Sequence, residues 1–171
     1  MKIIKKIMKS NIKMGKMAEM LDNIDREIIN ELQKNPYIDM EDLRDIVNNN
    51  LNRKLSISTI YHRKGKLIEG GILKEAFIPD YNKIGKTTLC FIAIKFDGHD
   101  ERILEEFTKI PNVMEAHAIG GQYDVFLKVR GRDIREIANL VFRIRSDYSI
   151  VKTTEIFVVL KTEKETQSIE I

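Results

Sequence analysis

Apolar positions in the first half of the chain recur at helical spacing. Ile24, Ile28 and Leu32, with Ile29 flanking, fall at i, i+4, i+8 and predict one amphipathic helix. Asp22 stands at its opening. Asp25 and Glu27 sit near the positive end of its dipole, and Asn35-Pro36 stops it. A second helix follows, capped by Asp39 with Asp42 three residues on, and with Leu43, Ile46 and Val47 turned inward. The run Asn48-Asn49-Asn50 is expected to break it. Ser56 caps a third helix, SISTIYHRKGKLIEG, whose apolar positions are Ile60, Leu67 and Ile68. Gly70-Gly71 ends it, since glycine tolerates the left-handed backbone of a helix stop. ILKEAFIP then alternates loosely, as a short strand or ribbon would. Three short helices and a ribbon describe a winged helix-turn-helix over residues 21–78.

The pattern changes after PDYNKIGKT (79–87), a turn-rich linker. Thr88–Phe96 reads as a strand. Asp100–Ile110 reads as a helix with Ile103, Leu104 and Phe107 inside, ended by Pro111-Asn112. Val113–Ile119 and Tyr123–Arg130 are strands around a Gly120-Gly121-Gln122 turn. Asp133 caps a helix with Ile134, Ile137, Ala138, Val141 and Phe142 inward, and Ile150–Thr162 is a long last strand. The order β-α-β-β-α-β is that of a ferredoxin-like domain, placed at 88–165 with a tail at 166–171. The fold class is therefore α+β. Helices cover one sheet face, and a second copy of the chain is the simplest cover for the other.

Charge is sorted by segment. Residues 1–20 carry six lysines against one glutamate, residues 21–50 three basic against eight acidic side chains, and residues 51–74 six basic side chains against Glu69 alone. The last of these coincides with the third helix, as expected of a nucleic-acid contact, although a solvated helix face would also carry it. The basic extension 1–20 places Ile3, Ile4, Ile7 and Met8 on one helical face. It reads as an amphipathic helix touching DNA, membrane or a partner, or as a frayed tail.

Composition narrows the classes. A hydrophobic fraction of 43% with 32% charged residues is that of a soluble globular chain. No apolar run reaches the roughly 18 residues of a membrane span. One cysteine, Cys90, permits no internal disulfide, which together with the lack of a secretory signal suggests the cytoplasm. Three scattered histidines and that cysteine make no metal site, and no cofactor is expected. His117 on a strand is expected to be packed or at an interface, His99 solvated in a loop, and Cys90 inert core. No nucleophile–base set, catalytic carboxylate pair or phosphate loop marks an enzyme.

Four stretches carry a family resemblance: LDNIDREIINELQKN (Leu21–Asn35), LSISTIYHRKGKLIEGGIL (Leu55–Leu73), IGGQYDVFLKV (Ile119–Val129) and VVLKTEKET (Val158–Thr166). In this order and spacing the chain resembles the Lrp/AsnC, or feast/famine, transcription regulators over roughly residues 21 to 165. The resemblance implies a dimer-forming C-terminal domain that often assembles into octamers, pseudo-palindromic double-stranded DNA operators, and amino acid effectors sensed at a cleft between C-terminal domains.

The candidate chemistry follows. On a recognition helix, Ser58, Thr59 and His62 are short or polar groups able to hydrogen-bond base edges. Arg63 suits a guanine edge or a phosphate, and Lys66 a phosphate. Tyr61 either joins them or packs beneath the wing. Arg53 and Lys54 precede the helix and can grip the backbone. Gly120, Gly121, Tyr123 and Asp124 match the family's effector-proximal turn, where glycines leave N–H groups open to a carboxylate. Asp124 there receives an α-amino group or accepts a backbone bond that shapes the turn, and Gly-Gly is also an ordinary hairpin. Gln122 stands where acidic or other polar residues are common in the family, which leaves open whether the effector is an amino acid, another ligand or none.

Two departures stand out. Asn48–Lys54 makes the inter-helix turn about six residues longer than the family pattern. Lys64-Gly65 replaces an apolar residue and a good helix former, with Lys64 snorkelling or turned to DNA and the helix kinked or marginal. They motivate an alternative, a ligand-sensing or structural oligomer without specific DNA binding.

Overall fold

The computed structural model describes residues 21–98 and 102–171. The amphipathic segment expected around Ile3–Met8, and His99, lie outside the described residues. The chain divides into two compact units. One comprises the described residues up to Phe77 together with Thr166–Ile171, the other Ile78–Glu165.

The first unit is built on α1 (Asn23–Lys34), α2 (Met40–Leu51) and α3 (Ile57–Glu69). Each begins where a short polar side chain satisfies otherwise unpaired N–H groups. The Asp22 carboxylate accepts from Ile24 and Asp25 N–H, Asp39 from Glu41 and Ser56 Oγ from Thr59. Their apolar stripes meet in one core of Ile28, Ile29, Leu32, Leu43, Val47, Ile60 and Leu67. Gly71, at φ +69°, ends α3, and the Ile72 and Leu73 N–H groups close back onto the Leu67 carbonyl.

Three local expectations are corrected. The asparagine run does not break α2, which continues to Leu51 and ends at Asn52 in the left-handed region (φ 50°). The reason lies in Asn48. Its amide donates to the Leu55 carbonyl (3.1 Å) and accepts the Leu55 N–H (2.7 Å), clasping the chain that leads into α3. The extra residues are thus helix, and the connection to α3 is short. Secondly, 72–79 forms no ribbon. No strand occurs among the described residues before Thr88, so none of them in the helix unit offers this segment a strand edge. Thirdly, α3 is continuous through Lys64-Gly65, and the Lys64 ammonium runs to Glu75 (3.7 Å).

The second unit follows the expected order: β1 (Thr88–Phe96), α4 (Ile103–Thr108), β2 (Val113–Ala118), β3 (Val125–Gly131), α5 (Ile134–Asp147) and β4 (Val151–Val158). The sheet is fully antiparallel, in the order β2-β3-β1-β4. Cys90, Ile92, Ile94, Phe96, Val125, Leu127 and Val129 point to one face, where Ile103 and Phe107 of α4 and Ile137, Leu140, Val141 and Ile144 of α5 cover them. Ile134 and Phe142, expected inside, are instead 46% and 67% exposed, because α5 turns its Ile137–Leu140–Ile144 stripe to the sheet. β4 stops at Val158, short of Thr162, and Leu160 is fully outside.

The opposite sheet face carries an aromatic row. Phe91 stacks on Phe126 at 5.4 Å, and Phe126 lies 6.1 Å from Phe157. The segment before β1 is a folded part of this unit. Asp80 caps its turn, Arg130 lies over the Tyr81 ring at 4.5 Å, and Lys86 reaches Glu136 at 2.9 Å. Glu136 also takes the Arg132 N–H (2.7 Å) and the Asn112 amide (2.9 Å), and these donors hold its carboxyl far below the usual range.

Candidate nucleic-acid interface and effector turn

The buried residues of α3, Ile60 and Leu67, define its inner side, and helical geometry then fixes its outer one. Ser58, Tyr61, His62, Lys66 and Glu69 are exposed there, with half-buried Gly65 on the same side. Tyr61, 69% exposed, does not pack beneath any element. Nothing lies within 4 Å of a Cβ built on Gly65, so no contact inside the unit demands glycine at that place. The helix entry is an hydroxyl cluster: Ser56 Oγ lies 2.8 Å from Ser58 Oγ and 2.9 Å from Thr59 Oγ1. Arg53 and Lys54 are exposed in the preceding turn.

Arg63 sits apart from that face. Its Nη1 donates to both Asp22 oxygens (2.9 and 2.8 Å) and to Asp25 (2.8 Å). Partial burial works against its charge, but the hydrogen bonds to Asp25 and Asp22 hold its pKa above the ordinary value. Asp22, with burial opposing and the Asp25 N–H and Arg63 favouring its charged form, is held below its own. Asp22 therefore caps α1 and ties α3 to it. The sequence offered Asp22 only as the opening of α1 and Asp25 only as an acid near its positive end, because nothing local pairs residues 41 and 38 positions apart.

In the sheet unit, the β2–β3 connection is pinned at both ends. Ile119 N–H donates to the Asp124 carbonyl, and Asp124 N–H to the Ile94 carbonyl, each at 2.9 Å. The Asp124 carboxylate accepts the Phe96 N–H (2.8 Å) and the Lys95 ammonium (3.1 Å), a backbone bond to the neighbouring strand. The Tyr123 hydroxyl donates to Glu155 of β4, which raises the phenol's pKa. Between these anchors Gly120 and Gly121 are exposed and face open space, and Gly121 has φ +136°, a conformation that favours glycine. Lys95 and Glu155 were missed as parts of this turn. Only the strand pairing brings them to it.

His117 is exposed and 3.2 Å from Glu115. Cys90 is buried, which pushes its thiol pKa up. Among the described residues no cluster of three or more metal-ligating side chains occurs, and no helix is long and apolar enough to cross a membrane.

Known proteins share this architecture. The model of the Lrp/AsnC ligand binding domain matches residues 89–169. An uncharacterized HTH-type transcriptional regulator of Pyrococcus abyssi is 34% identical over 156 residues, covering 87% of this chain and 99% of its own. The chain belongs to the Lrp/AsnC family of transcriptional regulators. Among solved structures, E. coli AsnC is similar at TM-score 0.74 and 25% identity, covering 88% of this chain and 99% of its own. A transcriptional regulator of Neisseria meningitidis, solved as a complex with L-Met, has TM-score 0.77 at 24% identity, covering 87% and 96%.

Proposed function

We propose that this regulator reads double-stranded DNA with the outer face of α3, as the second helix of a helix-turn-helix. The carrying observation is that Ser58, Tyr61 and His62 stand exposed on one side of a helix whose other side is core. Side chains near the start of such a helix meet base edges in the major groove. Thr59 contributes from the rim. Lys66, Arg53 and Lys54 take phosphates. Arg63 acts as a positioning residue, holding α3 against α1 through Asp22 and Asp25.

Two copies pair through the sheet face bearing Phe91, Phe126 and Phe157. The two-fold axis then sets a pseudo-palindromic operator with half-sites about one helical turn, roughly 34 Å, or a multiple, apart. The turn Gly120–Asp124 takes the carboxylate of an amino acid or related metabolite on its N–H groups. Asp124 shapes the turn from behind. Support for an amino acid comes from the Neisseria relative's complex with L-Met.

The test is a titration of labelled duplex DNA across salt concentrations. Affinity should fall linearly in log–log form, and Lys66→Ala should reduce the slope by about one. Absence of binding at low salt contradicts the reading. For the effector, L-Met and other amino acids should raise the melting temperature, and Gly121→Ala should cancel the rise. No shift with any amino acid overturns the effector part alone.

A further inference from the structure

On α1, Asn30 and Gln33 lie one turn apart and project carboxamides that do not serve the core. Each grips one main-chain unit of the C-terminal segment through both of its polar atoms. Gln33 Nε2 donates to the Ile169 carbonyl (2.7 Å), and the Ile169 N–H donates back to Gln33 Oε1 (2.8 Å). Asn30 Nδ2 donates to the Ile171 main-chain oxygen (3.0 Å), and the Ile171 N–H returns to Asn30 Oδ1 (3.1 Å). Alternate residues of the segment are thus read as a neighbouring β-strand would read them, by two side chains in place of a strand edge. The Ser168 N–H, bonded to Thr166 Oγ1 at 3.0 Å, bends the chain just before the docked residues.

We propose that Asn30 and Gln33 form a docking site for an extended peptide main chain, and that its occupant is this chain's own segment Ser168–Ile171, held as a detachable strap. The chemistry sets both properties. A carboxamide presents one donor and one acceptor in the spacing of a peptide group, so it recognises main chain and ignores side-chain identity. Ile169 is 72% exposed and Ile171 41%, so little apolar burial helps to hold the segment. Surface hydrogen bonds of modest net worth then stand against the entropy of ordering a segment of four residues, Ser168–Ile171, and the two are of similar size. The strap therefore exchanges between docked and free. Its anchor is close by: Glu165 is held by Lys128 (2.9 Å) and Arg130 (2.5 Å) of β3. With the strap docked, the chain returns to the helix unit after the sheet unit.

This inference is independent of DNA binding, and its test needs no DNA. A nitroxide on Ser168→Cys in the full chain reports the motion of the segment, since buried Cys90 stays unlabelled. The expected spectrum contains a slow component that falls severalfold in Asn30→Ala/Gln33→Ala at unchanged melting temperature. Should that double variant melt early, Gln33→Glu serves. It keeps the acceptor for the Ile169 N–H but loses the donor to the carbonyl, and it should shrink the slow component. A wild-type spectrum without a slow component, or a slow component unchanged in these variants, overturns the proposal.

Discussion

In the helix unit, the polar side chains proposed for recognition, Ser58, Tyr61 and His62, stand in the open, while the ion pairs of Arg63 lie behind them, between α3 and α1. In the sheet unit the order is reversed. The candidate effector turn offers bare glycine backbone, and its charged residues, Asp124 and Glu155, are engaged in holding it. One surface presents varied side chains, suited to a partner whose identity is read in its edges. The other presents N–H groups on a pinned frame, suited to a small ligand with a common head group. The difference also separates two residues of similar charge chemistry, Arg63 and Lys66. Neighbours on one helix, they are divided by which face of it they occupy.

The comparison breaks first at the cores. The two apolar clusters share no residue, so Phe107→Ala should cost the sheet unit about 3–5 kcal/mol, and Ile60→Ala the helix unit about 2–5 kcal/mol. Each should move a different transition in calorimetry. A single transition shifted equally by both would show that the units melt as one.

Glu136 sharpens the sheet side. Glu136→Ala removes the acceptor of four groups and should cost about 2 kcal/mol, since hydrogen bonds to a charge are the stronger kind. Its depressed folded pKa fixes the sign with pH. The stabilisation is present above the ordinary carboxyl value of 4.5 and is lost as pH falls from there toward the depressed value. Wild type and Glu136→Gln should therefore converge in stability as acid is added, measured by denaturant titration at stepped pH.

Arg63→Ala leaves Asp22 and Asp25 facing each other and should destabilise the helix unit by about 1–2 kcal/mol, discounted because the guanidinium is partly exposed. Its effect on DNA should be a uniform loss of affinity across sequences.

Gly65→Ala is the smallest and most discriminating change. A helical glycine costs up to about 1 kcal/mol relative to alanine, and the new methyl enters open space, so the melting temperature should rise. On the proposed recognition face the same methyl limits close approach, so DNA affinity should fall. Stability and affinity rising together would place Gly65 outside the interface.

Much of this was legible locally. Asp22, Asp39, Ser56 and Asp133 cap their helices, and the apolar spacing of α1 gave its buried face, because caps and stripes act within one or two turns. In α3 Ile60 and Leu67 are buried as expected, but Ile68, also expected inside, is 36% exposed, one position off the stripe that faces the core. The failures share a different cause. The asparagine run reads as a helix breaker by propensity, yet Asn48 gains a partner at Leu55 that no propensity contains. The ribbon at 72–79 needed an edge the unit does not supply. Phe142 and Ile134 are apolar but flank the stripe that α5 commits to the sheet. At the site, the exposed face of α3 was legible. The capture of Arg63 by Asp22 and the support of Tyr123 by Glu155 depend on long-range packing and were not.

The central claim is that α3 reads bases through His62 and its neighbours while Arg63 only positions the helix. In vitro selection of DNA sites by the wild type, His62→Ala and Arg63→Ala proteins tests it most directly. The expected result is a palindrome from the wild type, an altered preference at defined positions with His62→Ala, and the same palindrome at weaker enrichment with Arg63→Ala. A preference that shifts with Arg63→Ala and stays fixed with His62→Ala would contradict it.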